Sequence, residues 1–191
     1  MCGIVAVTGY KKALPLLING LEKLEYRGYD SAGIAIINSE NNCISCKKAE
    51  GKLKNLKSNL NDHNIPGTVG IGHTRWATHG KPEVKNAHPH TDSSGNIAVV
   101  QNGIIENFQD LKNKLEEEGI IFNSDTDTEV IPHLIQRELN TLSKLNLENN
   151  GSTLLVAVRN VLSDLEGSYA CLLYTSPSPR DVEESRMPSS A

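Results

Sequence analysis

The second residue of the chain is a cysteine, and its chemistry depends on its position. In MCGIV, Cys2 is followed by Gly3 and then by an apolar run. If Met1 is removed, Cys2 carries a free α-amine with a pKa of about 7.7–8.0 beside a thiol with a pKa of about 8.5, so the amine is a matched base at neutral pH. A nucleophile and its base would then lie on one residue. The alternative is an ordinary small residue at the start of a strand.

The dipeptide Asn102-Gly103 offers groups that such a nucleophile needs. A thiol that attacks a carbonyl creates an oxyanion, and fixed N–H donors stabilise that charge. Asn102 supplies an amide side chain and Gly103 an unhindered backbone N–H, at the end of the apolar stretch IAVVQNG. Because Asn-Gly is also among the commonest hairpin-turn sequences, a plain turn is the alternative.

Two charged residues, Arg75 and Asp127, are candidates for binding a substrate. Arg75 follows a predicted strand, and its guanidinium can hold a carboxylate through two parallel hydrogen bonds. Thr78 and His79 follow it in HTRWATHG and are candidates to support the same ligand. Asp127, in SDTDTE, is a candidate partner for a ligand ammonium. The alternatives are a surface arginine paired with a neighbouring acid and an aspartate that caps a helix.

Histidine and cysteine also raise the question of a metal site. Four histidines have spacings of six, nine and two residues, which fit neither HxxxH nor HExxH. They are His73, His79, His88 and His90. Cys43 and Cys46 form a CxxC pair, but no second pair occurs at a similar spacing. We therefore expect no metal and no other cofactor, with a zinc site as the alternative.

The elements that must position these residues follow from hydrophobic periodicity. The predicted strands are 4–9, 32–39, 43–50, 69–75 and 97–103, and the predicted helices are 12–27, 52–62, 106–118, 127–140 and 152–165, the last capped by Ser152. Residues 76–95 form a long polar loop, and such loops are usually functional or disordered. Because many strands are linked as hairpins, the pattern favours an α+β sandwich over a doubly wound parallel sheet.

Composition excludes several classes of function. The chain has 191 residues, 38% of them hydrophobic, and a formal net charge of −4. Without a block of Lys and Arg, it does not resemble a protein whose main partner is nucleic acid or an anionic membrane. Neither a membrane span nor a signal peptide is predicted, so a cytoplasmic location is expected.

The last part of the chain differs in composition from the rest. After GSYA (167–170), the segment CLLYTSPSPRDVEESRMPSSA is rich in serine and proline. This composition is typical of a disordered terminus. We interpret residues 171–191 as a non-native tail that resembles translated vector sequence, and a genuine divergent tail is the alternative.

Six motifs in the first 170 residues together resemble a known family. MCGIV, LEYRGYDSAG, HTRWATHGKP, NAHPH, NGIIEN and TDTEVI occur in this order. They are similar to the glutaminase domain of the glucosamine-6-phosphate synthase family, within the class II glutamine amidotransferases. The resemblance implies a four-layer αββα sandwich of the N-terminal nucleophile hydrolase type, formed by residues 1–170 and truncated at its C-terminal end. It implies no metal and no other cofactor for hydrolysis of the side-chain amide of L-glutamine.

The resemblance also implies a role for each residue. Cys2 would be the nucleophile, and Arg27 would position it. Asn102 and Gly103 would form the oxyanion hole. The residues that would bind glutamine are Arg75 for its carboxylate, Asp127 for its ammonium, and Trp76, Thr78, His79 and His88 around them.

The sequence departs from the family in two places. Gln101 stands where the family usually has histidine. Because glutamine still forms hydrogen bonds, we expect the activity to be adjusted and not lost. The C-terminal sugar-phosphate isomerase domain, which would bind fructose-6-phosphate and receive the ammonia, is absent from these 191 residues. A truncated, non-catalytic glutamine-binding fragment is therefore the alternative to an active glutaminase.

Overall fold

The computed structural model describes residues 2–60, 65–77, 80–145 and 151–176. Among these residues the strands are β1 (Gly3–Val7), β2 (Ser31–Ile37), β3 (Ile44–Glu50), β4 (Gly70–Arg75), β5 (His90–Thr91), β6 (Ile97–Ile105) and β7 (Gly167–Thr175). The helices are α1 (Ala13–Leu24), α2 (Leu53–Leu60), α3 (Phe108–Glu117), α4 (Val130–Lys144) and α5 (Gly151–Asp164). Short 3₁₀ turns occupy Glu25–Arg27, Val84–Asn86 and Asp127–Glu129.

Strands β1, β4, β2 and β3 form one antiparallel sheet, in that spatial order. Helices α1 and α2 cover one face of it. Their leucines repeat every three or four residues, which places them on one stripe that packs on the sheet. Leu17, Leu21 and Leu56 are fully buried there against Ile34 and Ile36 of strand β2.

Strands β5, β6 and β7 form a second antiparallel sheet, in that order among the described residues. Helices α3, α4 and α5 cover its outer face. Val99 and Ile105 of strand β6 are fully buried in this core, together with Leu115 of helix α3 and Leu134 of helix α4.

The inner faces of the two sheets pack on each other. Ile71 of strand β4 and Val100 of strand β6 are fully buried in a small apolar cluster between the sheets. Successive residues of a strand point to opposite faces, so Val99 packs against the helix layer and Val100 packs against the other sheet. The resulting order is helices, sheet, sheet, helices, which confirms the predicted four-layer α+β sandwich.

Strand β6 does not end where the sequence predicts. It continues through Asn102 and Gly103 to Ile105, and Asn102 pairs with Ala170 and Gly103 with Tyr169 of strand β7. The alternative of an Asn-Gly hairpin turn is therefore wrong. The turn statistics describe an isolated dipeptide, whereas here the partner strand is supplied from more than 60 residues further along the chain.

Two other boundaries also differ from the sequence predictions. Strand β7 includes residues 171–175, so the sheet extends past residue 170, and residues 177–191 lie outside the described residues. Ser152 lies within helix α5 instead of capping it. Among the described residues, no helix combines the length and apolar character needed to cross a bilayer.

Candidate active site

A cavity of about 790 Å³ lies where the N-terminal end of strand β1, the C-terminal end of strand β4 and the second half of strand β6 meet. Strands β1 and β4 are antiparallel, and the pairing of Gly3 with Thr74 places Cys2 beside the end of strand β4. Of the residues predicted for the site, the cavity is lined by Cys2, Arg27, Arg75, Trp76, His88, Asn102, Gly103 and Asp127. Thr78 and His79 lie outside the described residues.

The Cys2 thiol lies against the main chain of Trp76. The backbone N–H of Trp76 donates to Cys2 Sγ at 3.2 Å, and the carbonyl oxygen of Trp76 is 3.5 Å from the same sulfur. A thiol can donate to that carbonyl, and a thiolate can accept from that N–H. The main chain of Trp76 thus offers the sulfur both a donor and an acceptor.

Asn102 extends its side-chain amide toward the same residue. Its Nδ2 donates to the carbonyl oxygen of Cys2 at 3.3 Å. The neighbouring Gly103 has φ +127°, and a Cβ atom there would lie 2.1 Å from the carbonyl oxygen of Ser168. Only glycine fits this conformation beside strand β7. The sequence order Asn-Gly thus places a side-chain donor against the Cys2 main chain and a bare backbone beside it in the same cavity.

His73 determines which way the Asn102 amide faces. Its Nε2 lies 2.9 Å from Asn102 Oδ1 and 3.1 Å from the carbonyl oxygen of Gln101. Both partners only accept hydrogen bonds, so Nε2 carries the proton and Asn102 Nδ2 is directed toward Cys2. Complete burial lowers the pKa of His73 to about 4, with a smaller contribution from Arg75, and the bonds to Asn102 and Gln101 oppose the shift.

Three of the four histidines considered as metal ligands pack together. The rings of His73 and His88 stack with centroids 4.2 Å apart, and His90 meets His88 edge-on at 4.8 Å. His88 Nδ1 accepts the backbone N–H of Gln101 at 3.3 Å. Burial, followed by the neighbouring imidazoles, lowers the pKa of His88 well below its usual range. Within the described residues, no three His, Cys, Asp or Glu side chains are grouped to hold a metal ion.

Arg75 is almost completely buried, with 3% of its surface exposed. Its guanidinium donates to the carbonyl oxygens of Gly80 at 3.3 Å and Lys81 at 3.2 Å. Burial lowers the pKa of Arg75, and the nearby Cys2 and Asp127 act in the opposite direction. The alternative of a surface arginine is wrong, because the charge faces the cavity from inside the protein.

Asp127 begins the 3₁₀ turn that precedes helix α4, but it does not cap that turn. Its Oδ2 instead accepts the backbone N–H of Ile105 at 2.8 Å, at the end of strand β6. The side chain is 4% exposed and lines the cavity. The helix-cap alternative is therefore wrong, because a partner from another element takes the carboxylate.

Trp76 and Arg27 lie at the rim of the cavity. The indole ring of Trp76 is 44% exposed and contacts Tyr29 edge-on, with centroids 5.6 Å apart. Arg27 ends a 3₁₀ turn, and its guanidinium lies 5.8 Å from the centre of the Tyr26 ring. Tyr26 and Tyr29 are exposed beside them but do not line the cavity.

A family model described as a glutamine amidotransferase domain matches residues 73–182. This match covers more than half of the chain and includes Arg75, Asn102, Gly103 and Asp127. The chain belongs to the glutamine amidotransferase family. The matched segment contains strands β5, β6 and β7 and the end of strand β4, and it supplies most of the residues that line the cavity.

The amidotransferase chain is similar in sequence to much longer proteins. It is 51% identical over 183 residues to glutamine–fructose-6-phosphate aminotransferase [isomerizing] of Gloeobacter violaceus, an alignment that covers 95% of the chain and 28% of that protein. It is 50% identical over 179 residues to the protein of the same name from Pyrococcus horikoshii, which covers 94% of the chain and 28% of the relative. The chain therefore spans about 28% of the length of these relatives.

A solved structure shares the fold of this amidotransferase chain. The glutamine phosphoribosylpyrophosphate amidotransferase of B. subtilis, complexed with ADP and GMP, superposes with a TM-score of 0.72 at 30% identity, over 92% of this chain and 35% of that one. A second structure, described as the allosteric regulatory enzyme of purine biosynthesis, gives a TM-score of 0.73 at the same identity.

Sequence reasoning missed the contacts that support the predicted residues of this amidotransferase. His73 was considered only as a metal ligand, although its histidine-rich surroundings marked it as unusual. The hydrogen bond from Thr128 to Gln101, at 2.9 Å, has no sequence pattern, because the two residues are 27 positions apart. Such contacts depend on how the sheets and the 3₁₀ turn pack, and local periodicity does not report them.

Proposed function

We propose that this chain hydrolyses the side-chain amide of L-glutamine through a thioester on Cys2. The observation that carries the proposal is the arrangement of one cavity: Cys2 lines it, the Asn102 amide bonds to the main chain of Cys2, and Arg75 and Asp127 line the same space. Hydrolysis of the side-chain amide of an α-amino acid requires these groups: a nucleophile, an oxyanion donor, a cation for the α-carboxylate and an anion for the α-ammonium.

The proposed reaction begins after Met1 is removed. The α-amine of Cys2 takes the thiol proton, and the thiolate attacks the amide carbon of glutamine. Asn102 Nδ2 and the Gly103 N–H stabilise the tetrahedral oxyanion, as preorganised donors do in acyl transfer. The C–N bond then breaks, the proton held by the amine passes to the leaving nitrogen, and ammonia departs. Water hydrolyses the γ-glutamyl thioester and releases glutamate.

The remaining predicted residues would bind and orient the substrate. Arg75 would hold the α-carboxylate and Asp127 the α-ammonium, so that the amide carbon faces the sulfur. Trp76 and His88 would complete the walls, and Arg27 would position the nucleophile. Thr78 and His79 remain predicted contacts to the same ligand.

The relatives suggest the wider role. We propose that in a full-length protein of this kind the ammonia passes to fructose-6-phosphate on a C-terminal sugar-phosphate isomerase domain, giving glucosamine-6-phosphate. The names of the aminotransferase relatives support this assignment. A cytoplasmic location belongs to the same proposal, as does a glutaminase unit of residues 1–170 followed by a non-native tail of residues 171–191.

Glutamate release and thiol labelling test the proposed hydrolysis. The purified chain, shown by intact mass to begin at Cys2, is expected to release glutamate from glutamine and to react at Cys2 with an electrophilic glutamine analogue. Replacing Cys2→Ala is expected to abolish both. Cys43→Ser is the matched control, since Cys43 is exposed and does not line the cavity.

A second result would favour the alternative of a non-catalytic fragment. Saturable binding of glutamine to a chain that begins at Cys2, without glutamate release or labelling, would overturn the proposed hydrolysis and leave a binding module. A chain that retains Met1 is expected to bind glutamine and barely hydrolyse it, because its thiol lacks the neighbouring amine.

A further inference from the structure

The side chain of Gln101 is buried, and the proposed hydrolysis does not use it. Gln101 precedes Asn102 in strand β6 and is 3% exposed. Its main chain is held on both sides, because its N–H donates to His88 Nδ1 at 3.3 Å and its carbonyl oxygen accepts from His73 at 3.1 Å. Its side-chain amide reaches Thr128, which is completely buried.

The hydroxyl of Thr128 lies between two groups that can both accept its proton. Thr128 Oγ1 is 2.9 Å from Gln101 Oε1 and 3.5 Å from Asp127 Oδ1. A hydroxyl has a single proton to donate. If it bonds to Gln101, it leaves Asp127 Oδ1 without that donor. In this arrangement Gln101 Nε2 also has no hydrogen-bond partner among the described residues, although it is buried.

Rotating the Gln101 amide by 180° gives Nε2 a partner and releases the Thr128 proton for Asp127, without moving any other heavy atom. The oxygen and nitrogen of an amide have nearly the same shape, so packing does not distinguish the two orientations. After the rotation, Nε2 donates to Thr128 Oγ1, and the hydroxyl proton is free for Asp127 Oδ1. The oxygen then takes the position without a partner, where an acceptor is tolerated better than a donor.

The result is a chain of donors that ends on the Asp127 carboxylate. Oδ2 of Asp127 already accepts the N–H of Ile105 at 2.8 Å. With the Thr128 proton directed at Oδ1 across 3.5 Å, both oxygens face a donor, and the carboxylate lines the cavity.

We propose that Gln101 is a positioning residue for Asp127 and acts through the Thr128 hydroxyl. This inference rests on the proposed function, in which Asp127 binds the α-ammonium of glutamine. One residue of strand β6 thus holds the ammonium site, and the next, Asn102, supplies the oxyanion donor. In the proposed function, Asp127 contacts the substrate throughout the reaction. Loss of the donor chain is therefore expected to weaken substrate binding and to leave the chemical step largely intact.

A pair of Thr128 variants and a pair of substrates test this role. T128V removes the hydroxyl and keeps the side-chain shape, and T128S keeps the hydroxyl. The substrates are L-glutamine and 4-carbamoylbutanoate, which is glutamine without its α-amino group. We expect T128V to raise the KM for glutamine about 10-fold, with kcat within about 2-fold, and to leave the KM for 4-carbamoylbutanoate unchanged. T128S is expected to retain most of the affinity for glutamine.

Two Gln101 variants test the same chain from its other end. Q101M has a similar length and no hydrogen-bonding group, and Q101E supplies only acceptors when ionised, which draws the Thr128 proton away from Asp127. Both are expected to raise the KM for glutamine selectively, Q101E more than Q101M. If T128V does not fold, these two variants still test whether Gln101 positions Asp127.

The outcomes separate this inference from the proposed function. If the unmodified chain that begins at Cys2 releases no glutamate, the proposed hydrolysis is wrong, and the inference falls with it. If that chain is active but T128V and Q101E bind glutamine as T128S does, the positioning role alone is wrong. If the KM values for both substrates rise equally, Gln101 and Thr128 only support packing.

Discussion

The two sides of the cavity are built in different ways. The proposed oxyanion side, Asn102 and Gly103, lies inside a pair of strands whose backbone ladder fixes the main chain of both residues. The proposed anchoring side, Arg75 and Asp127, lies at the ends of elements: Arg75 is the last residue of strand β4, and Asp127 is the first residue of a 3₁₀ turn. The backbone of Arg75 still pairs with Ser31 of strand β2, but the Arg75 guanidinium and the Asp127 carboxylate are held by hydrogen bonds to main-chain groups of other segments.

This difference predicts different kinetic consequences. A donor fixed by a strand pair needs no reorganisation when charge develops, so it contributes mainly to the transition state. A carboxylate or guanidinium that binds the α-groups of glutamine contacts the substrate before and during the reaction, so it contributes uniformly to both states. Changes on the oxyanion side should lower kcat, and changes on the anchoring side should raise KM.

The largest effect is expected for Asn102→Ala. Losing one oxyanion donor should lower kcat by about 10²–10³-fold, with the KM for glutamine changed by less than about 3-fold. Initial rates of glutamate release measure both constants. Asn113→Ala, on the exposed face of helix α3, is the matched control. An unchanged kcat would remove Asn102 from the oxyanion role.

The next effect tests the anchoring side through Arg75→Lys. Lysine keeps the charge but loses the planar pair of donors that a carboxylate accepts. We expect the KM for glutamine to rise about 10- to 100-fold, with kcat within a few-fold. Arg159→Lys, on the exposed side of helix α5, controls for the substitution itself. A fall in kcat at constant KM would contradict the division between the two sides.

A smaller effect is expected for His73, which supports the oxyanion side from behind. His73→Leu removes the donor to Asn102 Oδ1 and frees the amide to rotate, so kcat should fall about 10-fold at nearly constant KM. His73→Gln can restore an N–H near the same position and should recover part of the loss. Equal losses in both variants would indicate that only the volume of the ring matters.

The smallest effect concerns the dependence of stability on pH. Burial lowers the pKa of His73 from 6.5 to about 4, so between these values the unfolded chain binds a proton that the folded chain does not. The stability that His73 contributes is fully present above pH 6.5 and is lost as the pH falls toward 4. Urea unfolding at several pH values should show a shallower decline for His73→Gln. An identical slope would contradict the neutral, buried imidazole.

The sequence predicted most of the architecture, because hydrophobic periodicity is a local property. The leucine stripe of helix α1 and the apolar runs of strands β2, β4 and β6 were recognisable before their partners were known. Boundaries were less accurate where a distant partner decides them. Strand β6 continues through Asn102-Gly103 because strand β7 pairs with it, and no sequence pattern near Gly103 predicts that pairing.

The sequence by itself determined which groups are available: a cysteine at position 2, an Asn-Gly pair, a guanidinium and a carboxylate. Their types follow from covalent chemistry and need no fold. Only the tertiary structure decided how each is oriented, since orientation depends on partners far along the chain. His73 directs Asn102, the main chain of Trp76 faces the sulfur of Cys2, and Ile105 holds Asp127. Hydrogen bonds act over about 3 Å, and only folding brings such residues within that distance.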